Sequence, residues 1–175
     1  MNKVIIDLRH PVLNQLIDDV EKLCGLGDFE RGRALRESLN RAIKNLEWLK
    51  PEFRVPSENS YSKYLIYADR DERFCIVSIV WDLNQRSPVH SHYAWCAYGV
   101  AKGALAETLY SFDPNTKSAI KTKSVLRDEG YTSYAPKGVT YIHQLGNDIP
   151  TLALSIHIYG MGEKQIYTGI NQIFS

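Results

Sequence analysis

Three cysteines and a net charge of +1 already exclude much for this 175-residue chain. The cysteines, Cys24, Cys75 and Cys96, are odd in number and lack framework spacing, which argues against a disulfide-stapled scaffold. A reducing, cytoplasmic setting is therefore expected. A charge near zero leaves no electrostatic footprint for nucleic acid. No apolar run approaches the ~20 residues of a membrane-spanning helix, so no membrane partner is expected either. The apolar run in MNKVIIDLRH is too short for a secretory leader. There is no internal repeat, no low-complexity tract, no GxGxxG and no phosphate-binding loop. What is present is 44% hydrophobic and 11% aromatic residues, the composition of one globular domain with its own core.

Residues 1–10 are too short to classify. From Pro11, the residues Leu13, Leu16, Ile17, Val20 and Leu23 recur at the spacing of one helical stripe. Pro11 suits a first helical position and Gly25 a stop. A second helix is expected from Asp28 as N-cap, with Leu35, Leu39, Ala42, Leu46 and Leu49 on its apolar face and Pro51 ending it. Two helices cannot hold a core alone. The polar stretch RVPSENS therefore reads as a linker within a single domain, 1–175, with a helical segment over 1–50 and a β body over 58–175.

From Tyr61 onward the chain turns to β-branched and aromatic residues. The stretches YSKYLIYA, RFCIVSIVWD, YAWCAYGV, ALAETLYSF, SAIKTKSVL, YTSYA, TLALSIHIY and KQIYTG all read as strands. Turn signals such as ADRDE, AKG, DPNT, RDEG and GND separate them. About eight short strands at this spacing predict a sandwich or barrel.

Four of the five histidines fall in three short segments: His90 and His92 in SPVHSHYAW, His143 in TYIHQLGN and His157 in LSIHIYG. On a strand, residues i and i+2 share a face, so His90 and His92 form half of a metal site. Spacing alone leaves a mononuclear metal site and ordinary buried or surface histidines evenly balanced. Ser155, His157 and Tyr159 alternate, and so share one face as well.

The spacing around His90 matches the first cupin motif: His-x-His, three residues, an acidic position, six residues, Gly. Here it runs His90, His92, Cys96 in place of the acid, then Gly103. The second cupin motif ends in His followed four residues later by Asn, as in His143 and Asn147, with Gly130, Pro136 and Gly138 at its earlier positions. A cupin with Cys at the acidic position resembles cysteine dioxygenase and the thiol dioxygenase family. SIHIY resembles that family's Ser-His-Tyr triad. YSKYLIYADRDERF, IVWDLNQRSPVH and IHQLGN resemble its bacterial members, and the likeness spans about residues 58–162.

The resemblance implies a mainly β cupin, a small β-barrel or jelly roll, with two N-terminal α-helices. It implies Fe(II) on His90, His92 and His143, and an outer catalytic triad of Tyr159, His157 and Ser155. It further implies that a small thiol and O2 are the partners and a sulfinic acid the product. Three neutral imidazoles agree with this, since they leave a dication its full charge for an anionic thiolate beside open positions. In the mammalian-type enzymes the Cys matching Cys96 forms a thioether with the triad Tyr. A Cys96–Tyr159 crosslink is one expectation, and a free buried thiol the other. Cys24 and Cys75 read as core residues, and Arg70 and Arg73 as surface charges in a turn.

Two carboxylate clamps known in the family are altered. The cysteine-specific enzymes place an Arg two residues after a Tyr, where this chain has Tyr61 and Lys63. The mercaptopropionate type places an Arg after the triad Tyr, where only Lys164 stands. Tyr61 and Lys63 are the expected substrate contacts. The thiol stays open among cysteine, 3-mercaptopropionate, mercaptosuccinate and an aminothiol. The rival readings are a cupin isomerase or hydrolase using Zn, Ni or Mn, and a non-catalytic ligand-binding cupin.

Overall fold

A computed structural model describes residues 10–174. Residues 1–9, which carry most of the short N-terminal stretch considered above, lie outside it, as does Ser175. Helix α1 spans Pro11–Leu23. The His10 imidazole caps it by accepting from the Val12 amide, and Leu13, Leu16, Ile17 and Val20 form its buried stripe. Helix α2 spans Asp28–Ile43, with Gly27 rather than Asp28 at the N-cap. Asp28 sits in the first turn instead, where its charge meets the positive helix end. Gly32 lets α2 press onto the sheet, because a Cβ there would lie 2.7 Å from the Tyr134 ring.

The second helix is shorter than its apolar pattern predicts. It stops at Ile43, and Leu46 and Leu49 reach the core from a loop. The Asn45 side chain accepts the Glu47 amide, a local bond that competes with helix continuation. The Trp48 indole donates to the Ala42 carbonyl in the last turn. A single 3-10 turn, Pro51–Arg54, then leads into the β body.

Ten strands follow: β1 Ser62–Ala68, β2 Cys75–Trp81, β3 His90–His92, β4 Cys96–Lys102 and β5 Ala104–Asp113, then β6 Ser118–Asp128, β7 Thr132–Ala135, β8 Gly138–Gly146, β9 Ala153–Tyr159 and β10 Asn171–Ile173. They form two antiparallel five-stranded sheets, ordered β1-β2-β9-β4-β7 and β10-β3-β8-β5-β6. The first sheet is covered on both faces. Ile76, Val80, Ala97, Ile156 and Ile158 pack on the helices. Val77, Ile79, Trp81, Tyr98 and Tyr159 turn the other way and join Leu105 and Leu145 of the second sheet. That double burial explains why CIVSIVW reads as an unbroken apolar run rather than an alternating one.

One further expectation needs correction here. KQIYTG is not a strand: Glu163–Thr168 is a short helix, α3. Gly162 opens it and Gly169, at φ 134°, closes it, so the backbone brackets override the β propensity of Ile166 and Tyr167. Arg73 lies at the surface of the β1–β2 turn, as expected, and does more there. Its guanidinium holds Asp69, a buried carboxylate, at 2.7 Å and reaches Glu21 of α1 at 3.3 Å, which ties the helices to the β1–β2 turn.

Candidate metal centre

Strand β3 is only three residues long, and its pairing brings the histidines together. His90 lies opposite His143 of β8, and His92 follows on the same face. Ser87 fixes this register: its amide donates to the Leu145 carbonyl at 2.8 Å and its hydroxyl accepts the Leu145 amide at 3.0 Å. His90, His92 and His143 are all buried, and their candidate ligand atoms lie within 4.8 Å of one another. The Nε2 atoms of His92 and His143 approach to 3.3 Å.

Each ring is held from behind through Nδ1. His90 Nδ1 meets the Pro88 carbonyl at 2.9 Å, His92 Nδ1 the Asn171 Oδ1 at 3.0 Å, and His143 Nδ1 the Glu107 Oε1 at 2.9 Å. All three partners are acceptors, so each Nδ1 carries its hydrogen and each Nε2 a lone pair. Two lone pairs 3.3 Å apart repel unless a proton or a metal cation stands between them. Two nitrogens bound to one metal at about 2.1 Å and a right angle are about 3 Å apart. The donor set therefore fits a metal ion. Burial, with the neighbouring imidazoles adding to it, pushes His90 down to about 3 and His92 well below its ordinary range. Both are neutral at neutral pH, the form in which an imidazole can bind a metal.

The opposite wall belongs to the first sheet. Ser155, His157 and Tyr159 do share one face of β9, and a hydrogen-bonded chain runs along it. The Trp81 indole donates to Ser155 Oγ at 2.9 Å, Ser155 Oγ meets His157 Nε2 at 2.8 Å, and His157 Nδ1 meets the Tyr159 hydroxyl at 3.3 Å. With Trp81 already donating to Ser155, the Ser155 hydrogen finds its acceptor in His157 Nε2. His157 Nδ1 then carries a hydrogen toward Tyr159, and the phenol is left to donate elsewhere. Burial is the main cause that keeps His157 neutral and Tyr159 protonated. The Tyr159 ring lies 5.6 Å from that of His92, across the gap between the sheets.

Between the walls is a narrow cavity of about 20 Å³, little more than one ordered water requires (~10–15 Å³). The three candidate ligands, His157, Tyr159, Tyr61 and Lys63 all line it. Tyr61 stacks on Trp81 at 4.6 Å. Burial lowers Lys63 from the usual lysine range. Among the described residues no carboxylate pairs with its ammonium, and none lines the cavity. Cys96 does not line it. Cys96 and Cys75 stand opposite Tyr159 on its two neighbouring strands, so both thiols flank the phenol residue on one face. Burial raises both, Cys75 to about 12. Asn147 is wholly buried and donates to the carbonyls of Trp81 and Thr151, a loop tie rather than a site contact.

Sequence reasoning missed Trp81, Asn171 and Glu107. Glu107 had left a signal: it shares parity with Leu105 and Leu109 on β5, an acid on an inward face.

No protein-family model matches the chain. Solved structures do resemble it. The TT1209 protein of Thermus thermophilus is 16% identical with a TM-score of 0.50, over 63% of this chain and 91% of that one. A Klebsiella pneumoniae protein described as having a double-stranded β-helix domain is 14% identical at TM-score 0.50, over 64% and 81%. A cupin superfamily protein of Desulfitobacterium hafniense is 11% identical at TM-score 0.46, over 61% and 83%. The fold is a double-stranded β-helix. At these identities the likeness speaks to fold alone. No helix of the described residues is long and apolar enough to cross a membrane.

Proposed function

We propose that this protein is a cupin thiol dioxygenase that converts a small mercapto-carboxylate to its sulfinate. The observation that carries the reading is the buried chain Trp81–Ser155–His157–Tyr159, which aims a phenol at the three-imidazole cluster. Ferrous iron held by His90, His92 and His143 would supply O2 activation and a seat for the thiolate. The balance is R–S⁻ + O2 → R–SO2⁻: both oxygen atoms pass to sulfur, which is oxidised as O2 is reduced.

The protein's own groups divide the remaining work. Tyr159 holds its proton at the cavity and donates it as a hydrogen bond to developing oxygen charge, while His157 and Ser155 fix its direction. Lys63 is the cation for the substrate carboxylate and Tyr61 packs beside it. Lys63 is a point charge rather than a bidentate fork, which suits a carboxylate whose orientation is fixed elsewhere. Among the described residues no acid lines the cavity to pair with a substrate ammonium, which favours mercapto-acids over aminothiols. Cys96 stands opposite Tyr159, and a thioether there would join Sγ to a ring carbon with loss of the S–H and one ring C–H hydrogen, O2 taking up the two electrons.

A cupin isomerase or hydrolase would use the same three imidazoles but has no need of the phenol chain. The deciding experiment is O2 uptake by iron-loaded protein across L-cysteine, 3-mercaptopropionate, cysteamine, mercaptosuccinate and homocysteine. Thiol-dependent uptake, with one O2 consumed per sulfinate formed, is the expected result. Absence of uptake in protein verified to hold ferrous iron contradicts the reading.

A further inference from the structure

Glu107 has no part in the chemistry proposed above, yet it is wholly buried against a candidate ligand. It stands behind His143, on the side away from the cavity. Its Oε1 accepts from His143 Nδ1 and from the Tyr141 hydroxyl, both at 2.9 Å, and its Oε2 from Arg127 Nε at 2.8 Å. Three donors surround the buried carboxylate, and one of them is the Arg127 guanidinium, which pairs with it as an ion. Arg127 lies 4.2 Å over the Tyr131 ring and is partly exposed, so the cluster runs from His143 to the surface. Tyr141 is further held by Ser133 at 3.2 Å.

The three histidines therefore differ. His90 leans on a backbone carbonyl and His92 on an amide oxygen, both neutral, whereas His143 leans on an ion. A carboxylate drawing on the Nδ1 hydrogen makes Nε2 a stronger donor. We infer that Glu107 is a positioning residue that makes His143 the strongest of the three metal donors. Arg127 and Tyr141, by holding the same carboxylate, set how much of its charge reaches the ring. The inference rests on the metal-centre reading but not on thiol oxidation.

The test compares Glu107→Gln with Tyr141→Phe in the full chain. Affinity is read by Co(II) titration under chelator competition, and donor strength by the Fe(III)/Fe(II) potential of iron-loaded protein. Glu107→Gln weakens Co(II) binding about 10–100-fold and raises the potential, because less charge reaches the metal. Tyr141→Phe removes one competing bond from Oε1, leaves more charge for His143, and lowers the potential. A purely structural role loosens both variants alike. Potentials that move in the same direction, or Co(II) affinity in Glu107→Gln within about twofold of wild type, overturn the inference. Should Glu107→Gln not fold, Tyr141→Phe decides alone: a lower potential supports the inference, and an unchanged or higher one overturns it. Wild-type protein that binds no Co(II) overturns the metal reading with it. Wild-type protein that binds Co(II) and obeys these signs, yet oxidises no thiol, removes only the thiol chemistry.

Discussion

Four buried histidines line the gap between the two sheets, and the two walls hold them by opposite ring nitrogens. On the second-sheet wall, His90, His92 and His143 are tethered through Nδ1 to oxygen acceptors and present Nε2 to one another. On the first-sheet wall, His157 is tethered through Nε2 to Ser155 and gives its Nδ1 to a phenol. Depth does not separate them, since all four are almost fully buried. What separates them is where the second nitrogen goes. Three rings converge on a point that a cation can fill, and the fourth is used up along its own strand as a link between two hydroxyls.

This contrast can be broken from either side. The largest effect is expected on the second-sheet wall: His143→Ala loses both metal and activity, as metal analysis and O2 uptake would show. Normal metal content in that variant would remove His143 from the ligand set. On the other wall, Tyr159→Phe retains the metal and slows sulfinate formation by about 100-fold, the low end of a proton-donor contribution. An unchanged rate would show that the phenol does no work. Trp81→Phe removes the donor behind Ser155 and acts at one further remove, with about a tenfold loss of rate and normal metal content.

Acid sharpens the same contrast without mutation. His90, His92 and His157 all take up protons less readily in the folded protein than the ordinary imidazole value of 6.5, His90 only at about 3. As pH falls from about 6.5 toward 3, the unfolded chain holds more of these protons than the folded one, so stability falls. Metal-free protein should show a melting temperature that drops across this range. Bound metal should delay the drop at its upper end, because it occupies the ligand nitrogens. The smallest expected effect is at Cys96. Cys96→Ala abolishes any gel doublet that reports a thioether to Tyr159, and a doublet that survives has another origin.

Most of the fold was legible in the sequence. The stripe of Leu13, Leu16, Ile17 and Val20 and the strands of β1, β2, β4 to β7 and β9 follow from periodicity and turn residues. The failures have local causes. Asn45 and Trp48 end α2 early by hydrogen bonds that a count of leucines does not contain. Gly162 and Gly169 make a helix of a segment whose side chains favour a strand. At the site, strand alternation brought out Ser155, His157 and Tyr159, and spacing brought out His90 and His92. Trp81, Asn171 and Glu107 stayed hidden because each reaches a histidine or its partner from another strand, 74, 79 and 36 positions away. Lys63 was placed by resemblance, and its burial without a carboxylate partner among the described residues is visible only in three dimensions.

The division among the four rings is most directly tested by nitrogen NMR of the imidazoles, recorded with and without Zn(II), a diamagnetic ion suited to histidine sites. The Nε2 resonances of His90, His92 and His143 are expected to move together on adding Zn(II), each keeping its hydrogen on Nδ1, while His157 stays in place. A His157 resonance that moves as far as the other three, or a member of the three that does not respond, contradicts it.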